Sequence, residues 1–325
     1  MSGCSRYERD RRCGEVKHMS DVLNMVSIIL ISSLRMSIPM ALTTVGAVYS
    51  VRSGVSELGC EGMMIAGAFF GMLGSYMTQN VWLGLGWGLA AGVAISMVHG
   101  VLHISYRVNQ TISGMSVNLL GIAIPPIIMQ FLWKTKTLSP SVPSFKKVNL
   151  PWLSDLPFFG RILGEMNVLF YLMLIIVLLS WLFFSKTVFG LRMRMVGENP
   201  TVASTLGIPV KAYKYLGTAL CGALSGMGGA YLSLGQMDLF VQGMTAGRGY
   251  IAMVINAFGR YNPIGALGGS IFFGFFDSLQ IIFQDSFIPS AVMMMTPYLF
   301  TLIVLVFGLK NLKIPAGVGK HVDEQ

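Results

Sequence analysis

Charge is the scarcest property of this sequence. Only 11% of its 325 residues are Asp, Glu, Lys or Arg, whereas 54% are hydrophobic and the mean hydropathy is +0.66. Soluble domains carry about 25% charged residues. A deficit of this size excludes an ordinary soluble domain, because most of the surface must face something other than water. The composition therefore predicts a membrane protein.

Acidic and nucleotide-binding signals are also scarce. The chain has 14 Asp and Glu residues and contains no G-x-x-x-x-G-K-[ST] loop, so we expect it not to hydrolyse ATP itself. No Ser/His/Asp or Cys/His arrangement is apparent, and we therefore predict no enzyme activity and no cofactor on this chain. The net charge of +9 is typical of cytoplasmic membrane loops rather than of a nucleic-acid partner, since no soluble basic domain is present.

Cysteine and histidine are too few and too scattered for a metal centre or a disulfide framework. The histidines His99 and His103 stand at i, i+4 in an apolar stretch, a spacing that can bind a metal. With no carboxylate or cysteine near them, the pattern favours helix-packing histidines. None of the four cysteines has metal-ligand spacing: Cys4, Cys13, Cys60 and Cys221.

Long apolar runs are what the sequence does contain. Residues 168–184 are apolar apart from Ser180, and about 20 such residues cross the hydrocarbon core as a helix. Without period-2 alternation, the runs predict an all-α polytopic transmembrane helical bundle of about eight to ten spans. The other candidate spans are 36–51, 60–78, 81–105, 111–133, 214–235, 248–259, 263–283 and 292–309, with 22–34 as an extra span or an interfacial helix.

Basic residues predict the orientation. With 186–213 in the cytoplasm, 16 Lys and Arg residues fall inside and five fall in an outer loop over 134–166, as the positive-inside rule favours. We predict an inner-membrane protein with a cytoplasmic N-terminus. Its parts are a polar tail over 1–21, disordered up to about residue 18, a membrane domain over 22–315, and a short cytoplasmic tail over 316–325. Met19 and Met25 are alternative starts.

Glycines four residues apart predict close helix contacts, because small residues let helix backbones approach each other in lipid. The sets are Gly84, Gly88 and Gly92; Gly67 and Gly71; Gly222 and Gly226; and Gly265 and Gly269.

Three ionisable residues fall within apolar stretches, where charge is costly and therefore often functional. For Glu61 and Arg248, two interpretations stay open. The functional one is a polar lining for a solute path or a kinked helix held by ion pairing. The structural one is pairing between helices, or a position nearer the membrane interface. For Asp277 we favour structural pairing between helices.

The loop 186–213 contains a predicted short helix. Asn199 is suited to an N-cap, Pro200 to the first helical position and Gly207 to the residue that ends the helix. Such a helix can lie along the membrane face and dock into a partner. The alternative is an inert connection.

Three stretches, in order, resemble permeases of the branched-chain amino acid, ribose and nucleoside class of ABC importers. RSGVSELGCEGMMIAGAFFG (52–71) is similar to their signature, and GLRMRMVGENPTVASTLGI (190–208) to their coupling segment. GRGYIAMVINAFGRYNPIGALGGSIFFGFFDSLQ (247–280) resembles nucleoside and simple-sugar permeases. The motif positions that we expect to be structural are Arg52, Gly54, Gly59, Gly62, Gly247, Asn262, Pro263 and Gly265.

The resemblance implies the transmembrane permease subunit of a binding-protein-dependent importer, with a path for a nucleoside or simple sugar, or for riboflavin. It also implies three partners: a separate ABC ATPase that carries ATP and Mg, a second and non-identical permease, and an extracytoplasmic solute-binding protein. The expected ATPase contacts are Gly197, Glu198, Asn199, Pro200, Ala203 and Gly207.

One departure concerns Ser56-Glu57, where relatives usually have an Asn nearby; Asn118 is the candidate to supply the polar lining instead. The alternative function is an ion-coupled secondary transporter, which should show inverted repeats and midplane carboxylates. A membrane-embedded enzyme would need a catalytic cluster at one membrane face.

Overall fold

A computed structural model describes residues 4–56, 58–146, 164, 166–282, 295, 299, 302 and 315–320, with side chains from residue 25 onward. Within these ranges the secondary structure is helical and no β-strand occurs. The all-α prediction is therefore confirmed. Three predicted features lie wholly or partly outside the described residues. They are Glu57, the part of the loop 134–166 that covers 147–163, and the span 292–309, of which 295, 299 and 302 are helical.

The described helices follow the predicted spans closely. They are α1 (Cys4–Arg52), α2 (Cys60–Thr78), α3 (Val81–Gly100, continued by a π-helical turn over Val101–Ser105), α4 (Gln110–Trp133), α5 (Val168–Lys186), α6 (Val188–Glu198), α7 (Pro200–Thr205), α8 (Val210–Tyr231, continued by a π-helical turn over Leu232–Gln236), α9 (Arg248–Phe258) and α10 (Pro263–Ile282).

Helix α1 differs from the prediction. Residues 4–18 were expected to be disordered and 22–34 to be a separate element, but one helix of 49 residues runs from Cys4 to Arg52. The physical reason is that no proline precedes Pro39, so the apolar part can extend its hydrogen-bonded ladder into the polar part.

Side-chain caps set the starts of α3 and α4. The Asn80 side chain accepts a hydrogen bond from the Trp82 N–H at 3.0 Å, and Asn109 accepts one from Thr111 at 2.9 Å. Asparagine is a preferred N-cap, because its oxygen satisfies a free N–H of the first turn. Both helices therefore begin where the predicted spans begin.

Glycines hold the centre of the bundle together, where α2, α3 and α8 meet. Gly67 touches the backbone of Gly226, and Gly92 touches Gly222. A Cβ on Gly84 would lie 2.8 Å from the carbonyl oxygen of Gly71. The predicted close helix contacts are thus confirmed for these three helices, since no larger side chain fits there.

Five described helices are long and apolar enough to cross a membrane, over Met25–Arg52, Val81–Ser105, Gln110–Trp133, Val168–Lys186 and Pro263–Ile282. The glycine-rich α2 and α8, of 19 and 22 residues, lie between them. Helix α9 has 11 residues, which span about 16 Å. It is too short to cross the hydrocarbon core alone, so the predicted span over 248–259 is corrected to a half-length helix.

The connections gather at two ends. At one, which we call the loop end, residues 134–146 pair with 234–242: the Val142 N–H donates to Asp238 O at 2.9 Å and the Gln242 N–H donates to Thr137 O at 2.9 Å. At the other, the coupling end, residues 52–56 meet 188–207, 259–262 and 315–320. Segments predicted to share a side of the membrane therefore lie together.

Candidate functional site

Glu61 binds the N-terminal end of α9. Its buried carboxylate, 5% exposed, accepts hydrogen bonds from the Thr245 hydroxyl at 2.5 Å, the Gly247 N–H at 3.1 Å and the Gly249 N–H at 2.7 Å. The first turn of a helix leaves N–H groups free and carries partial positive charge, so an acidic group is stabilised there. This contact fixes the junction between the segment 237–247 and α9.

The depth of Glu61 follows from its neighbour on α4. The Gly62 N–H donates to the Asn118 side chain at 2.8 Å, and Asn118 comes eight residues after Gln110, the first residue of α4. At 1.5 Å per residue this is about 12 Å from the coupling end. Glu61 therefore lies buried inside the bundle, and its role in a solute path stays a prediction.

Asn118 connects three helices. Besides its bond to Gly62 on α2, its Nδ2 donates to Leu58 O at 2.6 Å and to the Tyr250 hydroxyl of α9 at 3.2 Å. These bonds use the amide to hold α2, α4 and α9 in register. A place for Asn118 in the solute path stays a prediction.

Arg248 and Asp277 form an ion pair between α9 and α10. The Arg248 Nη2 lies 2.9 Å from Asp277 Oδ2, and the Nε donates to the same oxygen at 3.1 Å. The two side chains are only 13% and 14% exposed. This geometry agrees with the structural pairing favoured for Asp277, and it supports the same interpretation of Arg248.

A cavity of about 260 Å³ lies beside Glu61. Small-ligand sites are typically about 300–1,000 Å³, largely apolar, with a few placed polar groups. The lining of this cavity is likewise largely apolar, with Glu61, Gln242 and Thr245 as its polar side chains. The full lining comprises Glu61, Ile65, Ile122, Pro125, Phe240, Gln242, Gly243, Thr245, Ala246 and Gly247.

The irregular backbone of that lining depends on left-handed residues. Gly243 has a φ of +78°, Ala246 of +47° and Gly247 of +77°. Glycine adopts such angles without a steric penalty. Gly247, predicted to be a structural motif residue, thereby turns the chain into α9 beside Glu61.

Arg52 joins the loop that follows α1, which we call the signature loop (residues 52–56), to the far end of α9. At the last residue of α1, its Nε donates to Tyr261 O at 2.9 Å and its Nη2 to Arg260 O at 3.3 Å. Two residues on, Gly54 has a φ of +87°. Both ends of the short helix α9 are thus held by motif residues, Glu61 at one and Arg52 at the other.

The remaining motif residues shape helix starts. Gly59 immediately precedes α2, and a Cβ on Gly62 would lie 2.6 Å from Val117 O. Asn262 accepts a hydrogen bond from the Ile264 N–H at 3.3 Å as α10 begins at Pro263. Gly265 touches the backbone of Gly259, which allows the tight turn between α9 and α10.

The predicted short helix in the coupling segment is confirmed. The Asn199 side chain accepts hydrogen bonds from Thr201 and Val202, both at 3.1 Å, and Pro200 opens α7. Gly207 follows the helix with a φ of +73°. These residues satisfy the free N–H groups at the start and permit the turn at the end.

Sequence reasoning missed α6, which precedes α7. The Thr187 side chain caps it by accepting a hydrogen bond from the Gly190 N–H at 3.1 Å. A threonine three residues before a helical glycine was the available signal. Gly190 is needed here because a Cβ at this position would collide with Phe183 O and lie 2.8 Å from the Phe184 Cα at the end of α5.

The coupling segment has a buried and an exposed side. Gly197, Pro200 and Ala203 are buried, whereas Glu198 is exposed. Val202 and Leu206 are 49% and 63% exposed. Two apolar side chains of the α7 region therefore point away from the bundle.

The histidine pair lies in a helix interface. His99 hydrogen-bonds to the Ser113 hydroxyl at 2.9 Å and donates to Ser56 O at 3.1 Å. His103 donates to Val108 O at 3.1 Å, and the two rings stack with centroids 6.4 Å apart. Both side chains are buried, which supports the helix-packing interpretation.

Comparison with known proteins gives a family match. The family model described as the permease component of the branched-chain amino acid transport system matches residues 29–308. The guanosine ABC transporter permease NupQ of Bacillus subtilis is 37% identical over 88% of this chain and 93% of its own. The nucleoside ABC transporter permease NupC of Lactococcus lactis is 34% identical over 92% of this chain and 98% of its own.

Three further relatives match a smaller part of this chain. TsgC13 of Haloferax volcanii, provisionally named a glucose ABC transporter permease, is 37% identical over 75% of this chain and 74% of its own. A second guanosine ABC transporter permease of B. subtilis, NupP, is 20% identical over 72% of this chain and 68% of its own. A second nucleoside ABC transporter permease of L. lactis, NupB, is 21% identical over 72% and 67%.

Proposed function

This chain belongs to the family of permease components of branched-chain amino acid transport systems and is the permease subunit of an ABC importer; on that basis we propose that its cargo is a nucleoside. The observation that carries the proposal is the match, along nine-tenths of the chain, to permeases named for guanosine and for nucleosides. A simple sugar is the second candidate, which the glucose-transporter relative favours. Riboflavin gains no support and is not carried forward.

The cavity beside Glu61 supplies a fitting environment for such a cargo. A nucleoside has a flat ring with N–H donors and a sugar with hydroxyl donors. A carboxylate has about four lone-pair sites, and Glu61 already accepts three hydrogen bonds. It therefore keeps room for about one donor of a ligand. The buried Phe240 and the apolar Ile65 and Ile122 surround it.

The coupling segment has the form of a docking site for an ATPase subunit that carries ATP and Mg. Its exposed side holds Val202 and Leu206 on and just after α7 and Phe189 and Leu191 on α6, each more than one-third exposed. Large apolar groups exposed beside basic residues, at the end predicted to be cytoplasmic, are typical of a contact surface for a protein partner. Asn199, Pro200 and Gly207 would hold this surface in shape.

The second permease is proposed to be a non-identical paralogue. In both B. subtilis and L. lactis, two permeases of the same description resemble this chain, one at 34–37% identity and the other at 20–21%. A pair in which this chain takes the place of NupQ or NupC explains that pattern. A solute-binding protein would meet the loop end.

We place the protein in the inner membrane, with its N-terminus and coupling end in the cytoplasm. The distribution of basic residues favours this orientation. The gathering of predicted cytoplasmic connections at one end of the bundle supports it as well.

The test is reconstitution of the chain in proteoliposomes with the paralogous permease, ATPase and binding protein from its own genome. We expect ATP-dependent uptake of guanosine or another nucleoside, and ATP hydrolysis that increases when cargo and binding protein are added. Stimulation by glucose alone would transfer the assignment to sugars. Uptake that follows an ion gradient without any ATPase would instead establish the secondary-transporter alternative.

A further inference from the structure

Residues 315–320 bind two parts of the coupling end at once. The Gly317 N–H donates to Gly197 O at 2.9 Å, and the Gly319 N–H donates to Gly54 O at 3.2 Å. Gly197 lies at the end of α6 in the coupling segment, whereas Gly54 lies in the signature loop after α1. Two N–H groups, two residues apart, therefore link these segments through one short piece of chain.

The fit at these contacts leaves no space for side chains. A Cβ on Gly317 would lie 2.7 Å from Gly197 O and 2.8 Å from the Pro200 Cδ. A Cβ on Gly319 would lie 2.6 Å from the Gln110 side chain, whose oxygen accepts a hydrogen bond from the Ser56 N–H at 2.5 Å. Gly197 itself touches Arg52 O. The three segments thus touch backbone to backbone.

A buried ammonium group binds the C-terminal end of the segment 315–320. Lys214, on the first turns of α8, is 3% exposed, and its ammonium donates to Lys320 O at 2.6 Å. Burying an ammonium group is costly unless it is hydrogen-bonded, so the Lys320 carbonyl stabilises Lys214 where it lies. The neighbouring Lys211 is exposed to solvent.

From these contacts we infer that residues 315–320 form a clamp that makes the coupling segment and the signature loop move as one body. The inference rests on the proposed docking of an ATPase at α7. Movement of α6 and α7 would pass through Gly197 to Arg52, and Arg52 holds the Arg260 and Tyr261 carbonyls at the end of α9. The other end of α9 is bound by Glu61 beside the cavity. The clamp therefore positions the residues that connect ATP hydrolysis to the cargo path.

The test compares Gly317→Val with Ala316→Val in the assembled transporter in proteoliposomes. The added side chain of Gly317→Val meets Gly197 and Pro200. Ala316 is exposed, so Ala316→Val introduces the same residue type at the next position, where the added volume faces solvent. We expect nucleoside taken up per ATP hydrolysed to fall about tenfold in Gly317→Val, with the copurified ATPase unchanged, and to stay unchanged in Ala316→Val. A fall in uptake and hydrolysis in equal proportion would show a merely structural role and overturn the inference.

A second pair of variants covers failure of Gly317→Val to assemble. Lys214→Met removes the ammonium that holds Lys320 O, and Lys211→Met removes an exposed charge from the same helix. We expect uptake per ATP to fall only in Lys214→Met. Equal ratios in the two variants would overturn the clamp.

Hydrogen exchange distinguishes failure of the clamp from failure of the proposed function, because it needs neither cargo nor ATPase. In Gly317→Val we expect amides of 52–56 and of 196–206 to lose protection together. Unchanged protection would overturn the clamp even if the wild-type transporter imports nucleosides. Joint loss of protection would support it even if the wild-type cargo proves to be a sugar.

Discussion

The two ends of the molecule are joined by different means. At the loop end, the segments 134–146 and 234–242 pair through main-chain hydrogen bonds, and a Cβ added to Gly243 there would meet no atom within 4 Å. At the coupling end, Gly197, Gly54 and Gly317 meet with no space between backbones. The loop end leaves room beside the cavity. At the coupling end, a displacement of one segment moves the segments that it touches. The difference predicts that volume added at the contact of Gly197, Gly54 and Gly317 is more harmful than volume added at an open position.

The largest effect on uptake is expected at Glu61, which lies between the two ends and binds the start of α9. Glu61→Ala leaves three donors at the start of α9 without their acceptor, and each such buried group costs about 1–3 kcal/mol. We expect uptake to fall more than about 30-fold while the amount of chain in the membrane stays near wild type. Uptake per membrane-inserted chain measures this. Glu61→Gln keeps one acceptor oxygen and should give an intermediate value, so wild-type uptake in Glu61→Ala would reject a role for this contact.

The next effect concerns the docking surface of the coupling end. Leu206→Glu places a charge on an exposed apolar position, and we expect ATPase binding to weaken about tenfold, the order expected for a central interface residue. The measurement is the amount of ATPase copurified at increasing salt. Ile264→Glu is the matched control, since Ile264 is an exposed apolar residue near the coupling end but outside the coupling segment. Equal loss in both variants would contradict docking at α7.

A smaller effect tests the backbone contact directly. Gly197→Ala places a Cβ against the Arg52 carbonyl, and overpacking of this kind typically costs about 1–3 kcal/mol. We expect a lower thermal midpoint of the purified complex. Gly86→Ala on α3 is the control, because nothing lies within 4 Å of its Cβ position and replacing a helical glycine by alanine is neutral or stabilising. Equal midpoints would contradict the close contact of Gly197 with Arg52.

The last prediction concerns sidedness, which is read from labelling rather than from transport. Ser141 lies exposed at the loop end and Val202 at the coupling end. With Cys4 and Cys13 replaced by serine, Ser141→Cys should react with an impermeant thiol reagent in intact cells. Val202→Cys should react only after the membrane is opened. The reverse pattern would invert the proposed orientation.

Local features made much of the fold predictable. The spans over 81–105 and 111–133 follow from apolar length, and the start of α7 follows from Asn199 and Pro200. The glycine spacing also predicted which helices approach closely. These signals work because each depends on residues within a few turns of one another.

Other features were wrong, missed or left open, and these depend on distant residues. The length of α9 depends on Glu61 and Arg52, which hold its two ends from far along the sequence. The pairing of Arg248 with Asp277 depends on how α9 packs on α10. The roles of Asn118 and of residues 315–320 likewise become visible only once separate helices meet.

The sequence by itself determined that this protein is an all-α membrane bundle with three permease-like motifs, because hydropathy, helix caps and glycine spacing act over short distances. Only the tertiary structure decided that the buried carboxylate of Glu61 is a cap for a half-length helix and that Gly54, Gly197 and Gly317 lie in contact. The physical reason is that hydrogen bonds and steric exclusion between distant segments depend on packing, which no local pattern records.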